Sequence, residues 1–143
     1  MNKTTPELTP VVAKSRTHQE TPATAERTRA TEVKLRRADK ILEVAFADGA
    51  RFHLPAELLR VESPSAEVRG HGSQQKRLIA GRKFVGILGI EAVGHYAIRI
   101  RFDDLHDTGL YTWAYLRELG EKQDELFANY VAALTSAGLT REP

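Results

Sequence analysis

The sequence predicts an α+β fold: a mainly antiparallel β-sheet, with a short helix after the third strand and helices at the C-terminus. Between residues 33 and 102 the apolar residues mostly alternate with polar ones, which is typical of strands with one buried face. From residue 112 onward the apolar spacing becomes helical. Strands grouped early and helices grouped late favour this class over an alternating α/β architecture.

Two apolar runs and a tight turn predict the first three strands. Residues 33–35 and 41–46 lie on either side of the polar turn RRADK, a pattern that predicts a β-hairpin. Asp48 and Gly49 then supply a turn that accepts positive φ, and residues 50–54 return as a third strand.

A short helix is predicted directly after the third strand. Pro55 suits the first helical position, where no backbone N–H is needed. Ser63 and Pro64 end this helix, because a residue that precedes proline disfavours the helical conformation. A loop rich in serine, glycine and histidine follows, and it holds the first candidate site residues.

A second hairpin is predicted from FVGILGIEAV and HYAIRIRF, which are joined across Gly94. Gly86 and Gly89 inside the first of these strands predict a bulge or a close backbone approach. A phosphate-binding loop is excluded, because no helix follows these glycines and no Lys-Ser/Thr pair accompanies them.

The C-terminal part predicts two helices. TWAYLREL and EKQDELFANYVAAL place their apolar residues on helical stripes, which we expect to pack against the sheet. Gly120 is expected to separate the two helices, and Gly138 to end the second.

Residues 1–30 are predicted to be a disordered N-terminal tail, and residues 31–143 a single domain. The tail is rich in threonine and proline and lacks aromatic residues, so it cannot bury enough apolar surface to offset the entropy of ordering. No run of apolar residues reaches the length of a membrane span, and the N-terminus lacks the apolar region of a secretory signal. We therefore expect a cytoplasmic protein that does not enter a membrane.

Catalytic chemistry is not predicted. The chain has no cysteine, which excludes disulfides, thiolate nucleophiles and thiolate metal sites. Ser63 or Ser65 with His71 would supply a nucleophile and a base, but no G-x-S-x-G elbow surrounds them. Glu62 and Glu67 are placed where solvent-facing charge is expected. We predict no catalytic residues and no enzymatic activity of the chain alone.

Two segments carry a resemblance to a known family. LLRVESPSAEVRGHGSQQKRLI and the later IRFDDLHDTGLYTWAYL resemble the N-terminal domain of gamma-butyrobetaine hydroxylase and trimethyllysine dioxygenase. The resemblance is stronger to the small stand-alone bacterial proteins grouped with that domain, and it covers residues 31 to 120. The hydroxylase chemistry belongs to a separate, larger domain, so the resemblance implies shared ancestry without shared activity.

In the hydroxylases this domain holds a structural zinc, bound by a Cys-Pro-Cys-x-x-Cys loop and a later histidine. The resemblance places the three cysteine positions at Ser63, Ser65 and Val68, the proline at Pro64 and the histidine at His106. A serine hydroxyl is a poor zinc ligand and valine has no donor atom. We therefore predict a degenerate site without metal or other cofactor, in which the serines serve as hydrogen-bonding residues of a turn and helix end.

A second metal site stays open at this point. His71 and His106 with Asp103 or Asp104 would form the set of histidine and carboxylate that suits iron(II). The same module is fused to Mrp-type iron–sulfur carrier ATPases in plants, so the resemblance also implies an alternative function. That alternative is an accessory protein in metal or iron–sulfur handling.

The favoured prediction is a non-catalytic interaction module. We expect an unknown protein partner to contact the sheet face and the surface near Arg60, His71, Trp113 and Tyr115. Self-association as a homodimer is left open, because the domain contributes to dimer contacts in the full hydroxylases.

Nucleic-acid binding is the weakest of the three predictions. A basic run could serve it, formed by Arg69, Lys76, Arg77, Arg82 and Lys83. Aromatic residues on which bases could stack are sparse within this run. The net charge of +2 is also far from the basic footprint that nucleic-acid binders carry. Both observations argue against a nucleic-acid partner.

Overall fold

The computed structural model describes residues 22–65 and 77–143, and it contains two three-stranded antiparallel sheets. The first sheet has the order β1 (Ala30–Arg36), β2 (Ile41–Phe46), β3 (Arg51–Pro55). The second has the order β4 (Ile87–Val93), β5 (Ala97–Phe102), β6 (Leu110–Thr112). Three helices complete the described part: α1 (Pro22–Arg27), α2 (Ala56–Val61) and α3 (Trp113–Ser136). The predicted α+β class is confirmed.

The turns of the first sheet form where the sequence predicts them. Gly49 adopts φ +94° and its N–H donates to the carbonyl of Phe46 at 2.9 Å. The carboxylate of Asp48 accepts the N–H of Ala50 at 3.1 Å, which closes the turn between β2 and β3. The helix α2 begins at Ala56, one residue later than predicted, because Pro55 ends β3 and occupies the N-cap position.

The glycines of the second sheet mark a bulge, as predicted. The pairing of β4 with β5 shifts register between Ile87 and Gly89. A side chain at Gly89 would lie 2.8 Å from a guanidinium nitrogen of Arg101. A side chain at Gly86 would lie 2.9 Å from a carboxylate oxygen of Asp103. The side chains of Arg101 and Asp103 thus lie close to the backbone at these two glycines.

The prediction of two C-terminal helices is wrong, since α3 runs without interruption from Trp113 to Ser136. Gly120 lies inside this helix and faces Phe52 of β3. A Cβ atom at Gly120 would lie only 2.5 Å from Cγ of Phe52. The glycine thus permits close packing of α3 on the first sheet instead of separating two helices. Gly138, at φ +72°, follows the end of α3 as predicted.

The structure describes nine residues that precede Thr31, the predicted start of the domain. Residues 1–21 lie outside the described residues, so their disorder stays a prediction. Pro22–Arg27 form α1, and β1 begins at Ala30, before the predicted domain start at Thr31. Arg27 forms an ion pair with Glu121 of α3 at 2.9 Å.

One main core joins both sheets, α2 and α3. Its fully buried side chains include Leu42 of β2, Leu58 of α2, Ile100 of β5, and Leu116 and Leu119 of α3. A smaller cluster joins Val61 to Tyr130 and Leu134 in the second half of α3. Among the helices of residues 22–65 and 77–143, none combines the length and apolar character that a membrane crossing needs.

A buried carboxylate ties the C-terminal segment to α2. Glu57 is 6% exposed and accepts two hydrogen bonds from Arg141, at 2.8 Å from Nε and 2.7 Å from Nη2. The hydroxyl of Tyr130 donates to the same carboxylate at 3.2 Å. Burial, followed by the negative charge of Glu57, raises the pKa of Tyr130 to about 12.

This raised pKa predicts a loss of stability in alkali. The unfolded tyrosine ionises near pH 10, whereas Tyr130 in the folded protein keeps its proton until about pH 12. The free energy of unfolding should therefore fall between pH 10 and pH 12, by up to about 2 kcal/mol. In the Tyr130→Phe variant this fall should be smaller by that amount, as measured by urea unfolding at each pH. Equal falls in both proteins would contradict the prediction.

Candidate functional site

The predicted site residues Ser63, Ser65 and His106 come together although the histidine is distant in sequence. Nε2 of His106 lies 2.9 Å from Oγ of Ser63 and 3.2 Å from Oγ of Ser65. The hydroxyl of Ser63 also donates to that of Ser65 at 3.3 Å. We refer to these three residues as the serine–histidine cluster. Val68, the remaining position of the predicted set, lies outside the described residues.

The serine–histidine cluster is almost closed to solvent. Ser63 is 0% exposed, Ser65 5% and His106 7%. The backbone of Gly109 lies directly beside Ser63. A Cβ atom at this glycine would be only 2.5 Å from Oγ of Ser63. A buried, mutually hydrogen-bonded set of this kind satisfies its own polar atoms, as a protein interior requires.

Two tyrosines hold the loop that supplies the serines. The hydroxyl of Tyr111 in β6 donates to the carbonyl of Leu59 at 2.5 Å. The hydroxyl of Tyr115 in α3 donates to the carbonyl of Glu62 at 2.5 Å. Carbonyls near the end of α2, which lack partners within the helix, are thereby satisfied. The position of Ser63 is fixed from the second sheet and from α3.

His106 is supplied by a tight turn after β5. The N–H of Phe102 donates to the carbonyl of His106 at 3.0 Å, and the N–H of His106 donates to Oδ1 of Asp104 at 3.1 Å. Leu105 at the tip has φ +73° and is 82% exposed. A non-glycine residue rarely adopts this backbone conformation, so the contacts on either side of Leu105 must hold it in place.

Asp104 is occupied by two arginines. Its Oδ2 atom accepts from Nε of Arg60 and from Nε of Arg82, each at 2.7 Å. Burial acts to raise the pKa of Asp104, but hydrogen bonds from Arg60 and from the N–H of His106, with the charges of both arginines, hold it below its usual range. The carboxylate is therefore ionised and already neutralised by cations.

The alternative metal set is not assembled by the residues that the structure describes. Asp104 is committed to the two arginines, and Asp103 is exposed beside Gly86. Within 22–65 and 77–143, no three histidine or acidic side chains are grouped closely enough to hold an ion. His71 lies outside the described residues, so a site that includes it stays a prediction.

A polar cavity of about 330 Å³ opens next to the serine–histidine cluster. Its charged and polar lining residues are Arg60, Arg77, Arg82, Asp104, His106, Asp107 and Thr108. We refer to it as the arginine cavity. From the sequence, Arg60 is expected on a partner surface and Arg82 in a basic run. Their proximity is not predictable, because residues 22 positions apart in a helix and a loop share no common period.

The predicted partner residues do not form one exposed patch. Arg60 is 7% exposed, and Trp113 and Tyr115 are half-buried against the core. Nε1 of Trp113 donates to the carbonyl of His95 at 2.8 Å. His71 lies outside the described residues.

An exposed aromatic residue, which the sequence pattern does not single out, lies beside Trp113. Tyr96 is 55% exposed, and its carbonyl accepts the N–H of Trp113 at 3.3 Å. The alternation at Ile98 and Ile100 would assign Tyr96 to the buried face. Because β5 begins at Ala97, however, Tyr96 belongs to the turn and escapes that alternation.

The basic run is partly neutralised within the protein. Arg82 pairs with Asp104, and Lys83 pairs with Glu142 at 2.9 Å. Arg77 is exposed. Arg69 and Lys76 lie outside the described residues.

Comparison with known proteins decides the family. The family model described as "Gamma-butyrobetaine hydroxylase-like, N-terminal" matches residues 33–117, more than half of the chain. The chain belongs to this family. The resemblance read from the two sequence segments is thereby confirmed. No curated protein matches the sequence.

Three solved structures of similar proteins share the fold of this chain. Two proteins with solution NMR structures are 46% and 48% identical to this chain, with TM-scores of 0.71 and 0.70. Each match covers 80% of this chain, and 90% and 86% of the respective NMR chains. A crystal structure of a protein of unknown function of the DUF971 family, from Acidithiobacillus ferrooxidans, is 36% identical with a TM-score of 0.57. That match covers 66% of this chain and 96% of the crystallised one.

Proposed function

We propose that this member of the gamma-butyrobetaine hydroxylase-like N-terminal domain family is a non-catalytic binding module for a protein partner. In this proposal the serine–histidine cluster takes the structural place of the family's zinc site. The observation that carries it is the pair of contacts from His106 Nε2 to the hydroxyls of Ser63 and Ser65, at 2.9 and 3.2 Å. These contacts join the loop after α2 to the turn after β5.

The donor set of the cluster does not fit zinc. Closed zinc sites use thiolates, imidazoles and carboxylates, whereas a serine hydroxyl keeps its proton near neutral pH and binds the ion weakly. The cluster offers one imidazole and two hydroxyls, and these groups already satisfy one another by hydrogen bonds. A module held in this way keeps its shape without metal.

Restoring two thiols tests this part of the proposal. Untagged wild-type protein should contain no stoichiometric zinc by elemental analysis, and it should give no visible absorption bands when cobalt(II) is added. The double variant Ser63→Cys with Ser65→Cys should bind one cobalt(II), seen as bands of thiolate-bound tetrahedral cobalt that zinc abolishes. Adding His106→Asn to the double variant should weaken this binding. Stoichiometric zinc in the wild-type protein would contradict the proposal.

The contact surface that we propose centres on Tyr96 and Trp113. Large aromatic side chains with a polar tip are enriched at the energetic centres of protein interfaces. The ring of Tyr96 lies over Gly94, 3.1 Å from the position of a Cβ atom there. The N–H of Trp113, the first residue of α3, donates to the carbonyl of Tyr96 in the turn before β5. This hydrogen bond fixes the two residues side by side. An aromatic residue held by its backbone loses little entropy on binding.

A pair of matched variants tests the surface. Tyr96 and Phe84 are both 55% exposed, but Phe84 lies before β4, between Lys40 and Lys83. In a pull-down from the native host, Tyr96→Ser should lose a specific partner that Phe84→Ser retains. The partner, once identified, should show the same difference with purified components. Equal retention by both variants would remove Tyr96 from the proposed surface.

A further inference from the structure

The arginine cavity holds more positive than negative charge. One atom, Oδ2 of Asp104, accepts the hydrogen bonds from Nε of both Arg60 and Arg82. A single carboxylate therefore opposes two guanidinium groups. Arg77 and Asp107 add one charge of each sign, so three arginines face two aspartates around the cavity. The lining carries a net charge of +1 when His106 is neutral.

One arginine of the cavity also retains an unsatisfied nitrogen. Arg60 is 7% exposed, and its Nη1 is buried without a hydrogen-bond partner. It is the one such buried side-chain atom among the described residues. A guanidinium group has only donors, so Nη1 needs an acceptor from another group. A buried donor without an acceptor destabilises the structure unless another group supplies the acceptor.

Two acceptors beside the arginines, the carbonyl of Ala80 and the carboxylate of Asp104, are already engaged. Nη1 of Arg82 donates to the carbonyl of Ala80 at 3.1 Å, and the two Nε atoms share Asp104. Oδ1 of Asp104 accepts the N–H of His106. A ligand with a negatively charged oxygen would supply the acceptor that Nη1 of Arg60 lacks.

We propose that the arginine cavity is a binding site for a small oxyanion, a phosphate or carboxylate group, held by Arg60 and Arg82 and approached past the exposed Arg77. Guanidinium groups match such oxyanions with paired, charge-assisted hydrogen bonds. A volume of about 330 Å³ accommodates one such group, either free in solution or carried on a larger molecule. A metal cation is disfavoured, because the net charge of the lining repels it. This site does not depend on the proposed partner surface.

Nuclear magnetic resonance titration tests the site with defined probes. Sodium phosphate and sodium acetate are added separately to ¹⁵N-labelled full-length protein at constant ionic strength, with sodium chloride as the reference. We expect saturable shifts of the Arg60 and Arg82 side-chain Nε–H signals and of the His106 amide with at least one oxyanion. The probe that binds more tightly identifies whether the site prefers phosphate or carboxylate. Shifts that do not saturate, or that chloride reproduces, would overturn the proposal.

Arginine variants separate the site from general attraction of anions. Arg82→Gln and the exposed Arg77→Gln should each weaken the binding about tenfold, the effect of losing one charge-assisted hydrogen bond. Arg99→Gln is the matched control, because Arg99 pairs with Glu91 on the β4–β5 hairpin and does not line the cavity. It should leave the affinity within about twofold. Equal weakening by all three variants would show unspecific electrostatics and overturn the proposal. If Arg82→Gln unfolds the domain, the comparison of Arg77→Gln with Arg99→Gln still tests the site.

Discussion

Arg141→Ala is expected to destabilise the domain by about 2 to 3 kcal/mol, although the residue lies near the C-terminus. Among the described residues, the substitution leaves the buried carboxylate of Glu57 with the hydroxyl of Tyr130 as its hydrogen-bond partner. Removing one member of a buried ion pair costs more than the pair contributes, because the remaining charge is left desolvated. The side chain of Arg141 is 34% exposed, so we expect less than the roughly 3 to 5 kcal/mol that breaking a fully buried pair costs. Urea unfolding at neutral pH measures it.

A second substitution should rescue the first. In the Arg141→Ala background, Glu57→Gln removes the charge that has lost its partner, so part of the stability should return. Arg99→Ala is the control, since Arg99 pairs with the exposed Glu91 and its loss should cost no more than about 0.5 kcal/mol. If Arg141→Ala costs as little as the control, the C-terminal segment does not stabilise the domain.

The Arg141→Ala experiment tests whether the chain beyond the family match is part of the folded domain. The family model ends at residue 117, early in α3, whereas the contacts of Tyr130 and Arg141 with α2 lie beyond it. Val61 of α2 also packs on Tyr130 and Leu134. The chain after residue 117 thus packs on α2 and belongs to the same folded unit.

Local patterns predict most of the fold. Alternation and turn residues place five of the six strands, because each depends on neighbours within a few positions along the chain. The helix end predicted at Gly120 is wrong, because a lone glycine in a helical pattern indicates either a helix end or a close packing contact. Only the position of Phe52 across the interface decides between them, and no local pattern contains it.

The site is predictable only in part. Ser63 and His106 are 43 residues apart, and it was the family resemblance, not a spacing rule, that put them together. Neither the family resemblance nor a sequence motif indicates the arginine cavity. Asp104 joins Arg60 and Arg82 across 44 and 22 residues, and charged residues in loops leave no periodic signal. Long-range ion pairs depend on the completed packing of the sheets and α2, so the sequence alone does not indicate them.

Gly120→Ala is expected to destabilise the domain by up to about 2 kcal/mol, the opposite of its effect in an exposed helix. Alanine favours helix over glycine by about 1 kcal/mol. Here, however, the added Cβ would lie 2.5 Å from Cγ and 2.6 Å from Cδ1 of Phe52, so the ring or the helix must move. Overpacking of this kind costs about 1 to 3 kcal/mol. Thermal and urea unfolding give the sign directly.

A double-mutant cycle with Phe52→Ala isolates this contact. Without the ring, Gly120→Ala should become neutral or stabilising, because the helix preference then outweighs the remaining contact with Cβ of residue 52. Ala128→Gly at an exposed position of α3 supplies the helix baseline, an expected loss of about 1 kcal/mol. A stabilising Gly120→Ala in the wild-type background would show that α3 does not pack on β3 at this distance. In that case the continuous helix would need another reason for a glycine at its centre.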